Sequence, residues 1–520
     1  MPGLRQIGAE GDSSSRCSVL RNEISMKRMA CAARAVFSAI FAYAFICHLF
    51  ILFAPWQLEY REGAVLLQVR GLLHGINVYS QEQLPLYLNV YGSIYNSVGW
   101  LFCKMMGEGF FPLRLISFLS ILASLFLLND ILRRKRVLVD IRLALCLYMY
   151  FGLLFATTPL ARPDALGFLS FMLCFWLFEV FQASLWSMVM IIILSLLGFL
   201  IKQYFVITAP LVISYVFFFR SKRMGLIFTA MFLGALVLVY GLDTRLLPGY
   251  LPLALAATSG GATPLSLHST VYMLKQTGEF AGLYLGALLL CLRDCKRFSG
   301  SWRQRLRSLS FPCYASLLIV ALLTLKLGHH MAASLTYYLQ LLAPFILVSI
   351  APADVGMGGI TRFAALQISI VCLLTTVMAV KAIHSPFRVL RTGRQISAVY
   401  KDVLPYREVL GSPMLVSTLL DQHKLVYYSG QSEYLMAVTD KRALHLPGLD
   451  PTPSDCSRIE MAFEERVSSM IVTRQFNMIV TDEQDSITDV QKELIRTHYQ
   501  LERVRQIDNV TESEWVPTGG

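Results

Sequence analysis

The chain has 520 residues, of which 55% are hydrophobic and only 15% are charged, and its formal net charge is +12. Soluble domains carry about 25% charged residues, so this composition excludes an ordinary soluble protein. From Ser385 onward there are 15 Lys and Arg against 19 Asp and Glu, so the positive excess belongs to the preceding apolar part. Basic residues between apolar runs are typical of loops that orient membrane proteins, and they do not indicate nucleic-acid binding.

Repeated apolar runs of about 18 to 24 residues are each long enough to cross a bilayer, which predicts an all-α polytopic membrane protein. The basic extension of residues 1–30 is expected in the cytoplasm. The apolar run at residues 35–54 is expected to stay as an anchor, because no small-residue cleavage site follows a short apolar core. Residues 55–110 are amphipathic and rich in Tyr and Trp, which indicates an outer loop of interfacial helices.

The stretch at residues 86–102 could instead cross the membrane. The basic run from Arg133 to Arg136 would then lie outside, against the positive-inside bias, so the interfacial interpretation is favoured. The later runs alternate to give about eleven transmembrane helices within residues 31–384, with every strongly basic loop on the cytoplasmic side.

Residues 385–520 have the charge content of a soluble domain and are expected outside the cytoplasm. Strand-like runs, among them residues 414–419 and 470–472, alternate there with helix-like runs at residues 457–467 and 487–498. This alternation predicts a small α/β domain.

Eleven cysteines are scattered without a C-x-x-C pair, which argues against a disulfide framework and a zinc site. The nucleophile-elbow, zinc-protease, Walker A and dinucleotide-binding motifs are all missing, so nothing in the sequence supports nucleotide binding. No cofactor is predicted from a motif.

Three carboxylates come out at the outer membrane surface when the runs are threaded through a bilayer. Glu59 and Glu62 follow the first span, and Asp164 begins the fourth. Charges at a membrane boundary are costly to desolvate and are usually kept for a function. Converging carboxylates can act as a general base, and Glu59 with Asp164 can hold a divalent metal ion. The alternative is that Glu59 and Glu62 are solvated interfacial charges.

Cationic and polar groups lie at the same predicted surface. Arg162 precedes Asp164, and Lys202 with Gln203 interrupts an otherwise apolar stretch, which suits binding of a substrate phosphate. The alternatives are a structural ion pair of Arg162 with Asp164 and a snorkelling Lys202. Further candidates for contact with phosphate or sugar are His329, His330, Tyr337 and Tyr338.

These residues, in this order, resemble membrane glycosyltransferases of the GT-C superfamily, nearest to bacterial relatives of protein O-mannosyltransferases and the lipid A aminoarabinose transferase. The resemblance covers residues 55–352. It is carried by Leu58-Glu59-Tyr60-Arg61-Glu62-Gly63, Gly75-Ile76-Asn77-Val78-Tyr79, Pro112-Leu113-Arg114-Leu115, Ala161-Arg162-Pro163-Asp164, Ile201-Lys202-Gln203 and Tyr337-Tyr338-Leu339-Gln340-Leu341-Leu342-Ala343-Pro344.

The resemblance implies transfer of a sugar, with inversion, from a polyprenyl-phosphate donor to a lipid, glycan or protein acceptor on the extracytoplasmic face, here of a bacterial inner (plasma) membrane. Acidic residues of the first two outer loops serve there as base or metal ligands, which are Glu59 and Asp164 by position. Arg61 immediately before Glu62 departs from the commoner Asp-Glu pair. The choice between Glu59 and Glu62 and the need for a metal therefore stay open.

Two other functions compete with this one. A transporter or flippase of a lipid-linked sugar would use similar charged residues, but transporters often show inverted repeats, and no internal symmetry is visible here. A scaffold protein that recruits partners through its tail would need the charges only for structure.

Overall fold

The structure, a computed structural model, describes residues 35–36, 38–43, 45–80, 83, 86–87, 91–137, 139–153, 159–247, 309–327, 344–349, 385–421, 426–428, 453–482, 487–507 and 510–518. Several predicted features lie outside these residues. They are the N-terminal extension, the eighth and eleventh spans, and the side chains of His329, His330, Tyr337 and Tyr338.

The first part of the described chain is helical throughout. Its helices are α1 (Ser38–Phe53), α2 (Tyr60–Leu73), α3 (Ser93–Met106), α4 (Phe110–Arg134), α5 (Val139–Leu153), α6 (Asp164–Phe181), α7 (Leu185–Ile201), α8 (Thr208–Tyr215), α9 (Lys222–Leu246) and α10 (Phe311–Leu327). A short 3-10 segment, Gln203–Ile207, joins α7 to α8.

Four stretches of the described residues are long and apolar enough to cross a bilayer: Phe110–Arg134, Asp164–Phe181, Gln203–Arg220 and Lys222–Asp243. The helix α1, the apolar part of α5 and α7 are shorter apolar helices. The protein is therefore an integral membrane protein with a mostly helical membrane domain, as predicted. The total of eleven spans stays a prediction.

The helices α2 and α3 differ from these spans in length. Each has 14 residues, which corresponds to a rise of about 21 Å, short of the roughly 30 Å of a hydrocarbon core. The interfacial position of the first outer loop stays a prediction.

The helix α6 lies at the centre of the described bundle. Phe171, Phe175 and Phe178 on α6 are buried, and the ring centroids of Phe175 and Phe345 lie 4.6 Å apart. Lipid tails are as apolar as these side chains, so close van der Waals packing and not the hydrophobic effect holds such helices together. This packing fixes α6 against its neighbours.

The C-terminal part folds as a small α/β domain, as predicted. Its elements are α11 (Ser385–Val403), β1 (Val409–Gly411), α12 (Val416–Asp421), β2 (Tyr427–Tyr428), α13 (Pro453–Val472), β3 (Met478–Asp482), α14 (Asp489–His498), β4 (Tyr499–Ile507) and β5 (Val510–Pro517). The sheet has the order β2-β1-β3-β5-β4. The strand β1 pairs in parallel with β2 and β3, and β5 pairs antiparallel with β3 and β4.

Two strand predictions in this domain were wrong. Residues 414–419 fall in a 3-10 turn, Pro413–Leu415, followed by α12, and residues 470–472 end α13. Leu415, Val416 and Leu419 are buried at helical spacing. The reason is that hydrophobic periodicity cannot distinguish strand from helix in runs this short.

The C-terminal domain packs directly on α2 of the first outer loop. Ala64 and Leu67 of α2 share one buried cluster with Leu415 and Val416. The fully buried Gln57 donates through Nε2 to the carbonyl of Pro413 (2.7 Å) and to that of Glu59 (3.0 Å). The domain therefore holds the backbone that carries Glu59.

Candidate active site

The turn before α6 sets the position of Arg162 and Asp164. Pro163 caps the helix, and Asp164 is its first residue. The Ser117 hydroxyl of α4 donates to the carbonyls of Leu160 (2.6 Å) and Arg162 (3.1 Å). The turn is thus fixed to α4, and both charged side chains project from a rigid support.

Asp164 accepts hydrogen bonds from two side chains and forms an ion pair with a third. Its Oδ1 accepts from Lys202 Nζ at 2.7 Å and from the Tyr204 hydroxyl at 3.2 Å, and its Oδ2 lies 3.1 Å from Arg162 Nε. Gly167 permits this arrangement, because a Cβ there would lie 2.1 Å from the ring of Phe205. Because Gly167 has no side chain, the segment that follows Lys202 can pack closely against α6 near Asp164.

Glu59 joins the same group of charges from the first outer loop. It caps α2 and accepts from the Arg61 backbone N–H at 3.0 Å, and its Oε1 lies 3.4 Å from Arg162 Nη1. Burial raises the pKa of the Glu59 carboxyl, and the positive charges of Arg162 and Arg61 offset part of that rise. Glu59, Arg162, Asp164 and Lys202 therefore form one chain of alternating charges, which we call the charge chain.

Tyr91 completes this site and was missed by sequence reasoning. Its hydroxyl accepts from Arg61 (3.2 Å) and Arg162 (3.3 Å), and Lys202 Nζ lies 5.0 Å from its ring centroid. The next residue, Gly92, donates its N–H to the Ile201 carbonyl, where a Cβ would overlap the backbone of α7. The Tyr-Gly pair in an aromatic loop was the only sequence signal for this contact.

Glu62 lies in a different environment from Glu59. It is completely buried, and its two oxygens accept from Arg114 Nε (2.9 Å) and Nη2 (2.8 Å) and from the backbone N–H groups of Leu58 and Ala161 (both 2.8 Å). A carboxylate has about four lone-pair sites, and these donors fill them. The geometry disfavours Glu62 as a base.

Arg114 links this carboxylate to the end of α1. Its guanidinium also donates to the carbonyls of Ile51, Ala54 and Trp56. Arg114 stands in one of the motifs that carry the resemblance, but its partner could not be read from the sequence. The buried pair of Glu62 and Arg114 ties together α1, α2, α4 and the turn before α6.

The remaining candidates have less defined geometry. Gln203 is half-buried at the first position of the 3-10 segment. Within the described ranges no group of three His, Cys, Asp or Glu side chains could hold a metal ion. Glu59 and Asp164 do not fit a shared metal, because the Arg162 guanidinium lies between them in contact with both.

The sequence matches no family model and no curated protein. Among solved structures, it resembles ArnT from Cupriavidus metallidurans bound to undecaprenyl phosphate, with a TM-score of 0.56 and 13% identity over 92% of this chain and 97% of that one. The apo state of ArnT gives a TM-score of 0.55 and 12% identity over 93% of this chain and 98% of that chain. This chain therefore shares the fold of ArnT. The predicted fold is thereby confirmed.

An oligosaccharyltransferase from Archaeoglobus fulgidus, tethered with an acceptor peptide, is more distant. Its TM-score is 0.41 at 11% identity, over 92% of this chain and 74% of that chain. Likeness at this level says nothing further about the fold of the present chain.

Proposed function

We propose that this protein transfers a sugar, with inversion, from a polyprenyl-phosphate donor to an acceptor at the extracytoplasmic face of a bacterial inner membrane. The observation that carries the proposal is the charge chain of Glu59, Arg162, Asp164 and Lys202 at the ends of membrane helices. The proposal is also supported by the fold shared with ArnT, a protein crystallised with undecaprenyl phosphate. In this orientation the N-terminus is cytoplasmic and residues 385–520 are extracytoplasmic.

Arg162 and Lys202 are the proposed phosphate-binding groups. Their side chains are 15% and 9% exposed, so they reach the surface of the site while most of each is desolvated. Charge-assisted hydrogen bonds from such groups are stronger than neutral ones and suit a phosphate. They would stabilise the negative charge that develops as the lipid phosphate leaves.

Glu59 is the proposed general base. Its side chain is 18% exposed, and its longest ionic contact, 3.4 Å to Arg162, leaves it more loosely held than Asp164. In a single displacement, Glu59 accepts the proton of the acceptor hydroxyl or amine as that atom bonds to the anomeric carbon. The bond from that carbon to the phosphate oxygen breaks, and the electron pair leaves with the lipid phosphate.

Asp164 and Glu62 take other roles in this proposal. Asp164 positions Arg162 and Lys202 and neutralises them before the donor binds, and Glu62 holds the scaffold through Arg114. Gln203 and the four predicted His and Tyr side chains near the later spans stay candidates for sugar or phosphate contact. No step passes through a metal ion.

The test is a search for the donor followed by a transfer assay. A deletion strain is expected to accumulate a polyprenyl-phosphate sugar, which mass spectrometry of extracted lipids identifies. The purified full-length protein, reconstituted in vesicles with that donor, should release free polyprenyl phosphate and label an acceptor fraction. Movement of the intact donor across the bilayer without any release of polyprenyl phosphate would support the flippase alternative and refute transfer.

A further inference from the structure

A cleft of about 500 Å³ opens between α11 and the loop that follows α1. Volumes of this size are typical of small-ligand sites. It is separate from the charge chain and from the Glu62–Arg114 pair. Its walls are formed by Trp56, Leu390, Gly393, Arg394, Ser397 and Lys401.

The cleft begins at the end of a membrane helix. Val389 of α11 is buried against Ile51 and Ala54, at the end of the apolar α1. On the same turns of α11, Phe387 is 68% exposed and Leu390 is 48% exposed. Large apolar side chains exposed beside a membrane exit are suited to the interface between headgroups and acyl chains. With α1 crossing the membrane as predicted, the first turns of α11 would lie at the level of the bilayer surface.

The face of α11 toward the cleft changes from apolar to cationic along the helix. Leu390, Arg394, Ser397 and Lys401 follow one another at spacings of four, three and four residues, which places them on one side of the helix. At 1.5 Å per residue, Lys401 lies about 16 Å beyond Leu390 along the axis. This order matches a lipid whose chains lie near Leu390 and whose phosphate lies near the two cations.

Two exposed cations line the cleft, and no carboxylate of the described residues pairs with them. In the part of the chain that the structure describes, neither Arg394 nor Lys401 has a carboxylate at salt-bridge distance, and the indole N–H of Trp56 is buried without a hydrogen-bond partner. The one acid of α11, Asp402, is engaged by Arg503 and is therefore turned to other partners. Two adjacent cations without a carboxylate partner favour an anion.

Glycine at position 393 builds the floor of the cleft. A Cβ on Gly393 would lie 2.2 Å from the ring of Trp56, so only glycine lets the indole lie against the backbone of α11. The ring and Leu390 form the apolar side, and Arg394, Ser397 and Lys401 form the polar side. Such a division suits an amphipathic ligand.

We propose that this cleft binds the phosphate-bearing headgroup of an anionic lipid from the leaflet around it. The Arg394 and Lys401 side chains bind the phosphate, the Trp56 ring forms the wall beside it, and Phe387 and Leu390 contact the upper acyl chains. This site holds the C-terminal domain against the membrane surface. It does not depend on the transferase activity.

Short-chain lipids provide a direct test on the purified full-length protein in detergent. Dihexanoyl phosphatidylglycerol should bind saturably, at least about tenfold more tightly than dihexanoyl phosphatidylcholine, as measured by calorimetry. The variant Arg394→Gln/Lys401→Gln should lose this preference. The matched control Arg391→Gln/Arg407→Gln removes two exposed cations from the same region but outside the cleft, and it should keep the preference. Trp56→Phe, which shortens the aromatic wall of the cleft, should weaken phosphatidylglycerol binding severalfold.

Three outcomes would overturn the proposal. These are equal binding of the two lipids, equal loss in the control variant, and full competition by millimolar inorganic phosphate, which would mean a site for free phosphate and not for a lipid. Each variant is first compared with the native protein by thermal unfolding, so that a misfolded protein is not counted as a loss of binding.

Discussion

Two arginine–carboxylate contacts lie close together in this protein and differ in exposure. In the pair of Glu62 and Arg114 both side chains are 0% exposed and every oxygen of the carboxylate is occupied. In the charge chain the side chains of Glu59 and Arg162 are 18% and 15% exposed, and their contact is a long 3.4 Å. A closed, fully satisfied pair serves the fold, whereas a partly open one can exchange a protein partner for a substrate.

The largest effect is expected at the closed pair. Glu62→Gln or Arg114→Met leaves one charge buried without its partner, which costs about 3–5 kcal/mol of folding free energy. We expect little folded protein, measured as the yield of monodisperse protein and its midpoint of thermal unfolding. A Glu62→Gln protein that folds normally but is inactive would make Glu62 the base in place of Glu59.

At the open site the largest effect should come from Glu59. Glu59→Gln keeps the shape and the hydrogen bond from Arg61 but removes the base, and we expect transfer to fall about 100- to 10,000-fold. The thermal midpoint should change little. Glu108→Gln is the matched control, because Glu108 pairs with Arg70 outside the charge chain. Full activity in the Glu59 variant would remove Glu59 from the mechanism.

A smaller effect is expected from the loss of one cation. Lys202→Met removes a charged donor of the proposed phosphate site, so the KM for the lipid donor should rise by about 10- to 100-fold. Lys202→Arg should recover part of this loss. The control is Lys135→Met, which removes a cation from an ion pair with Glu179. Lys135 lies at the C-terminal end of α4, away from the charge chain. An unchanged KM would show that Lys202 only neutralises Asp164.

The smallest effect concerns pH. Burial raises the pKa of Glu59, so the proposed base is protonated at a higher pH than an ordinary glutamate, and transfer should fall about tenfold per pH unit below that pKa. The free energy of unfolding should change with pH in the opposite direction from the transfer rate. Between the ordinary and the raised pKa the folded state holds a proton that the unfolded state releases, so this group lowers stability as pH rises through that window. The two effects are measured as the transfer rate and the midpoint of thermal unfolding across pH. If the thermal midpoints of the native protein and of Glu59→Gln depend on pH in the same way, the assignment is contradicted.

The amino-acid sequence was sufficient to predict the membrane class, the small C-terminal α/β domain and the fold shared with ArnT. Local hydropathy sets where an apolar run ends, so Glu59, Asp164 and Lys202 were predicted to lie near one another, and the structure brings their side chains together. Short runs gave less: the hydrophobic pattern of residues 414–419 fits a strand or a helix, and in the structure they are helical and packed against α2.

Only the tertiary structure decided which side chains meet. Depth along a helix says nothing about rotation around its axis, so the partners of Glu62 and the part played by Tyr91 depend on how α2, α4 and α7 pack. Gly92 and Gly167 permit contacts that no periodicity predicts. The C-terminal domain contacts the loop that carries Glu59 through a hydrogen bond between Gln57 and Pro413, which are 356 positions apart in the chain. Such pairings depend on close packing in three dimensions, and a linear pattern of hydrophobic and charged residues does not contain them.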